Sequence, residues 1–256
     1  MKTFGRTSVL LIFVSLQAVS QGTSDLLRTG DEFYEKLQTA EALQRYEQAY
    51  KLAPHESEIL TRLVRAYSDL GWLHLRKDTS SEFFYLRAVA YAESLLQLYP
   101  SLPASHFWYA LANGSMIPFK STSQKIRIGK IVRAHAEKAI ELDSTFSYAY
   151  IILAIFEREE AKLSWFEKTI ARIVFGGDLN GSFPRSIDLL HKALTFDPNS
   201  MYAYFELSRT YDAMGEKDKA LTSLEKARAL PVHSEREELL RRYSEHYLAE
   251  MESRND

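Results

Sequence analysis

Residues 202–231 read YAYFELSRTYDAMGEKDKALTSLEKARALP, and the way this stretch is read decides the fold. Tyr204, Leu207 and Tyr211 recur at helical spacing before Gly215, and Ala220, Leu224 and Ala227 recur after it, so two amphipathic helices stand side by side. Small residues at Ser208 and Ala220 let those helices approach, and Tyr211 supplies the bulk beside them. Pro231 then stops the second helix, because the residue preceding a proline disfavours the α region.

Working outward, the end of the second helix recurs along the chain. YEQAYKLAP (46–54), YAESLLQLYP (91–100), HAEKAIELDS (135–144), LHKALTFDPN (190–199) and LEKARALP (224–231) each join a small residue, a short apolar pair and a helix stop. Repeats at such intervals mean a solenoid of stacked helix pairs. The phrases resemble the tetratricopeptide repeat. In the first copy Leu26, Gly30, Phe33, Ala42, Tyr46, Ala49 and Pro54 fall at the signature positions, with Thr29 in place of the usual leucine. The middle copies are stretched: 46 residues separate Pro54 from Pro100, 44 separate Pro100 from Ser144 and 54 separate Ser144 from Pro198. The consensus is about 34. The surplus is expected between the two helices of each pair.

The largest surplus holds SWFEKTIARIVFGGDLNG, residues 164–181, with an apolar stripe at Phe166, Ile170, Ile173 and Val174. It is expected to add about three turns of helix, and Ser182 or Asp178 is expected to start the next one. LSWFEK followed by FGG (Trp165, Phe166, Phe175, Gly176, Gly177), then SFPRSIDLLHKAL and a regular last repeat, resembles the regulator-of-microtubule-dynamics family over about residues 25–232. That resemblance implies a tetratricopeptide-like fold. Metazoan members are implied to be microtubule-associated or organelle-tethering proteins, often with an N-terminal membrane segment. Secreted bacterial relatives share the architecture.

The leader MKTFGRTSVLLIFVSLQAVSQG places Lys2 and Arg6 before an apolar run and sets Ala18 and Ser20 at the −3 and −1 positions. This is the pattern of a signal peptide spanning residues 1–20, cleaved before Gln21 and leaving a helical domain of residues 21–256. The apolar run is shorter than the roughly 20 residues a spanning helix needs. An exported location, periplasmic or secreted, is therefore expected; a retained membrane anchor is the alternative.

With 32 basic against 34 acidic residues and a net charge of −2, the chain lacks the basic excess of a nucleic-acid binder. Zero cysteines exclude disulfides, thiolate metal sites and thiol nucleophiles. The seven histidines are spread singly, without metal-ligand spacing, and no nucleophile elbow or phosphate loop occurs. Glu157, Glu159 and Glu160 read as a solvated helix face, and Lys125, Arg127, Lys130, Arg133 and Lys138 as a charged outer face. No cofactor, metal or catalytic residue is expected.

The place to look is the concave groove, lined by the first helix of each pair. The repeat frame puts Arg65, Tyr109, Asn113, Tyr148, Arg158, Tyr202, Phe205, Arg209 and Asp212 on or near it. Asn and Arg suit the polar groups of a peptide, and aromatics give contact area at low entropic cost. The expectation is an all-α right-handed superhelix of five helix pairs, three enlarged, closed by a helix from about Ser234 to Glu252. It would act as a non-catalytic scaffold for a protein or peptide.

Overall fold

A computed structural model describes residues 4–75, 80–164, 168 and 180–253, with side chains described over residues 20–249. Among the described residues there are eleven α-helices and no strand. They are α1 (Phe4–Glu35), α2 (Thr39–Leu52), α3 (Ser57–His74), α4 (Ser81–Leu98), α5 (Pro103–Ser115), α6 (Thr122–Leu142), α7 (Ser147–Lys162), α8 (Phe183–Phe196), α9 (Met201–Ala213), α10 (Lys217–Ala229) and α11 (Glu235–Ser253). The first ten pack as five consecutive antiparallel pairs, each stacked on the next, in a tetratricopeptide-like superhelix. The leader boundary expected at Ser20–Gln21 falls inside α1. Among the described residues no helix is long and apolar enough to cross a membrane.

Size matching holds the pairs together. Ala42, Tyr46 and Ala49 in the first pair and Ala220, Leu224 and Ala227 in the last are buried. Gly30 lies directly under Tyr46, whose Cε1 would stand 2.4 Å from an added Cβ. The ring filling the space beside that glycine is thus Tyr46 of α2, with Phe33 at the margin of the same core. In the second pair Gly71 meets Tyr85 in the same way, at 2.6 Å. The last pair turns at Gly215, whose φ of 78° is open to glycine, while its N–H donates to the Asp212 carbonyl. In the first pair Leu37 holds a left-handed φ of 59°.

In the second and third copies the described part of the surplus is not mainly loop. SDLGWLH extends α3 and SSEF opens α4, while TSQKIRIG forms the start of the 21-residue α6. These segments carry helical periodicity of their own, so they lengthen the helices and bury Leu70, Gly71, Ile128 and Gly129. In the fourth copy, Ser182 accepts from the Arg185 N–H and caps α8. Gly181 packs so closely on α7 that a Cβ there would lie 2.4 Å from the Glu157 carbonyl oxygen. Trp165, Phe166, Phe175, Gly176 and Gly177 lie outside the described residues.

The closing helix α11 does more than cover the last apolar face. Leu240, Tyr243, Tyr247 and Leu248 pack with Met201, Phe205 and Leu224, as a cap should. Its first turn also crosses the concave side to α3, and Trp72 of α3 joins that same cluster. The superhelix therefore closes on itself.

Candidate functional site: a central cavity on the concave face

Closure leaves a cavity of about 790 Å³ at the centre of the superhelix. One wall is apolar, made by Phe107, Trp108 and Leu111 from α5 and by Ile151, Ile152 and Ile155 from α7. Phe146 and Tyr148 extend this wall, with Tyr148 set 5.6 Å from the Phe107 ring. The opposite wall is polar: Asp31 and Tyr34 from α1, Arg62, Arg65 and Asp69 from α3, and His233, Arg236 and Glu237 from the C-terminal segment. An apolar wall facing convergent charged groups is the usual make-up of a binding site.

The polar wall is a continuous network. Asp31 accepts from Arg62 at 2.8 and 2.9 Å and from the Tyr46 hydroxyl at 2.8 Å. Burial works to raise the Asp31 carboxyl, but Arg62, Tyr46 and Arg65 outweigh it and hold it below the usual range. Arg65 lies over the Tyr34 ring at 3.9 Å and donates to the Tyr46 hydroxyl at 3.3 Å, while its buried Nε has no partner. The Tyr34 hydroxyl donates to Asp69 at 2.7 Å, and Arg236 donates to the same carboxylate at 3.3 Å. For Asp69 burial dominates: its carboxyl stays above the usual range despite Arg236 and Tyr34.

Of the nine groove residues expected from the repeat frame, the structure brings Arg65, Tyr148 and Tyr202 together around the cavity. The others lie elsewhere. Tyr109 turns toward α6 and meets His135 edge-on at 4.7 Å, and Asn113 donates back to the Tyr109 carbonyl at 2.8 Å. Arg158 is fully buried between α7 and α9, donating to Glu206, with Thr210 and Glu159 beside it. Phe205 is covered by Tyr243 and Tyr247, and Asp212 accepts from the Tyr247 hydroxyl at 2.5 Å. Arg209 sits at the surface beside Glu206, at 3.6 Å.

Two readings of the charged residues change. Glu157 and Glu160 are buried, not solvated, because α7 runs through the middle of the stack and Arg133 of α6 bridges both, at 3.3 and 2.7 Å. Arg133 consequently leaves the basic face, on which Lys125, Arg127 and Lys130 stay exposed. Two of the histidines are also not single: His106 and His135 bring their Nδ1 atoms to 2.9 Å across α5 and α6. His106 Nε2 lies 2.9 Å from the Pro100 carbonyl oxygen, which fixes its proton there and leaves its Nδ1 to accept from His135. Among the described residues no group of three or more His, Asp or Glu side chains could hold a metal ion.

A superhelix of five helix pairs closed by a terminal helix, with a cavity at its centre, defines a tetratricopeptide-like repeat protein. The fold is shared with a repeat protein of Thermus thermophilus, with a TM-score of 0.63 at 15% identity, covering 87% of this chain and 98% of the other. The family model for regulator of microtubule dynamics proteins 1–3 matches residues 26–252, and the chain belongs to that family. Similar relatives include regulator of microtubule dynamics protein 1 of Bos taurus, 29% identical over 82% of this chain and 66% of its own length. The Mus musculus protein of the same name is 28% identical over 87% of this chain and 73% of its own.

Proposed function

We propose that the chain is an exported, non-catalytic scaffold that takes up a segment of a protein partner at the concave cavity. The observation that carries this reading is the cavity itself, where Arg65, Tyr148 and Tyr202 converge between an apolar and a charged wall. Such a wall suits a side chain inserted from an extended segment, with Arg65 in the lining to meet a carbonyl or carboxylate. Export rests on the charged start, apolar run and small residues that end at Ser20. Capture from native envelope or medium with the wild-type chain and with Arg65→Ala tests the site. A partner recovered by the wild type and lost by the variant supports the reading; equal recovery overturns the site. Mass spectrometry of the native protein should give Gln21 or a neighbour as first residue.

The second reading is suggested by the names of the relatives, which are regulators of microtubule dynamics. In it the leader stays as an anchor and the repeat domain acts on microtubules. Retention of Met1 in a membrane fraction, together with co-sedimentation with polymerised tubulin, would favour this reading over export.

A further inference from the structure

We propose that the first turn of α11 is a releasable latch, and that the superhelix opens along the seam between α11 and helices α2 and α3 without unfolding its last three helices. The latch is built from two adjacent side chains. Glu235 Oε2 accepts from the Thr39 N–H at 3.0 Å. Thr39 is the first residue of α2, and the Gln38 side chain at the cap position makes no capping hydrogen bond. A carboxylate delivered from the far end of the chain thus caps α2, where the positive end of the helix dipole favours an anion. Arg236 enters the concave face beside it, donating to Asp69 and lying 5.7 Å from the Trp72 ring and 5.5 Å from the Tyr202 ring.

The two halves of α11 are held by different forces. The later half is fixed to the last pair by apolar packing, with Leu240 buried and Tyr243 and Tyr247 lying on Phe205. The first turn is held mainly by polar contacts, with Trp72 as its apolar part. Those contacts are incomplete: Arg236 Nε and Thr39 Oγ1 are buried without partners, and Asp69 is desolvated. A buried ion pair returns little net free energy, because water solvates both charges well once it is parted. Opening therefore exchanges imperfect polar contacts for hydration, and the apolar anchor of α11 stays intact.

The consequence is access. His233, Ser234, Arg236 and Glu237 form one side of the central cavity, so parting this seam widens its entrance. The relevance to binding rests on the cavity being the site proposed above, but the test reads geometry alone, so the two can fail separately.

The full-length chain has no cysteine, so nitroxide labels can be placed at will. One pair, on the exposed positions Gln44 of α2 and Arg242 of α11, spans the seam. A control pair on Glu225 of α10 and Arg242 lies within the last three helices. In the wild type the spanning pair should give one main distance by pulsed dipolar spectroscopy. In Arg236→Gln a second, longer distance should appear in more than about a tenth of the molecules, while the control distance stays as in wild type. Asp69→Asn, which preserves side-chain shape, should do the same and covers the case in which the first variant folds poorly. An unchanged spanning distance in both variants overturns the latch. So does a control distance that broadens in parallel, since the contact would then belong to the general core.

Discussion

Gly30→Ala and Gly22→Ala place the same methyl group on the same helix, and the structure separates their outcomes. At Gly22 an added Cβ meets only Leu52 Cδ1 at 3.9 Å, an ordinary contact. At Gly30 it would stand 2.4 Å from Tyr46 Cε1 and 2.8 Å from Cδ1, far inside van der Waals distance. Tyr46 cannot swing aside, because it is fully buried and its hydroxyl donates to Asp31 at 2.8 Å. Alanine favours an interior helix position over glycine by about 1 kcal/mol in both cases. Overpacking a tight contact costs about 1–3 kcal/mol. Gly22→Ala should therefore stabilise the full-length chain by up to about 1 kcal/mol, and Gly30→Ala should destabilise it by up to about 2 kcal/mol. Urea titration followed by far-ultraviolet circular dichroism reads both as midpoint shifts at constant slope. If Gly30→Ala proves as stable as Gly22→Ala, close approach across that glycine does not set the geometry of the first pair.

Arg158→Met should cost about 3–5 kcal/mol, because it leaves the buried Glu206 carboxylate with only Arg209 at 3.6 Å, whereas Arg158→Met with Glu206→Leu should recover much of that loss; thermal melts of the two singles and the double close the cycle. Burial, and then the neighbouring His106, hold the His135 pKa below its ordinary value of 6.5, so the unfolded chain binds more protons below that pH. Stability should accordingly be full above pH 6.5 and fall as pH drops toward the lowered folded value, and His135→Gln should flatten this slope in urea titrations at stepped pH. Leu37→Gly removes a left-handed strain of about 1 kcal/mol and should raise the melting temperature in a thermal melt; an unchanged or lower value refutes strain at that turn.

The helix pairs were legible because what makes them is local. An alanine at 42 or 220, a bulky neighbour and a proline stop all fall within one pair, and the same sizes recur in the next. The groove was legible only where the frame kept its phase. In the first pairs that gives Arg65, and near the start of α7 and α9 it gives Tyr148 and Tyr202. In the third copy the frame slipped. Trp108 lines the cavity one residue before the expected Tyr109 and Leu111 two residues before the expected Asn113, and each residue is about 100° around a helix. Phe205 and Asp212 meet Tyr243 and Tyr247 of α11 and do not line the cavity. Arg158, Glu157 and Glu160 misled for a different reason. A run of charges on one helix looks solvated until its partners are known, and Arg133 and Glu206 come from other helices.

The seam at α11 is the part that local reading could not reach. Its charge-rich sequence suits a solvated cap, but of residues 235–249 only Arg242, Glu245, His246 and Ala249 are exposed. Yet Glu235 meets Thr39 across 196 residues, and Arg236 meets Asp69 across 167. Spacing within a repeat carries no signal for such contacts, because repeats encode their neighbours and not their closure. Closure also changes the energetics. An open solenoid is stabilised pair by pair, so damage at one end stays there. A closed one ties α2 and α3 to the last helix, so a change at Arg236 should register at the start of α2 as well as in α11. The family match runs to residue 252 and so takes in α11, which makes the closing helix part of the shared domain and the cavity a property of the whole chain.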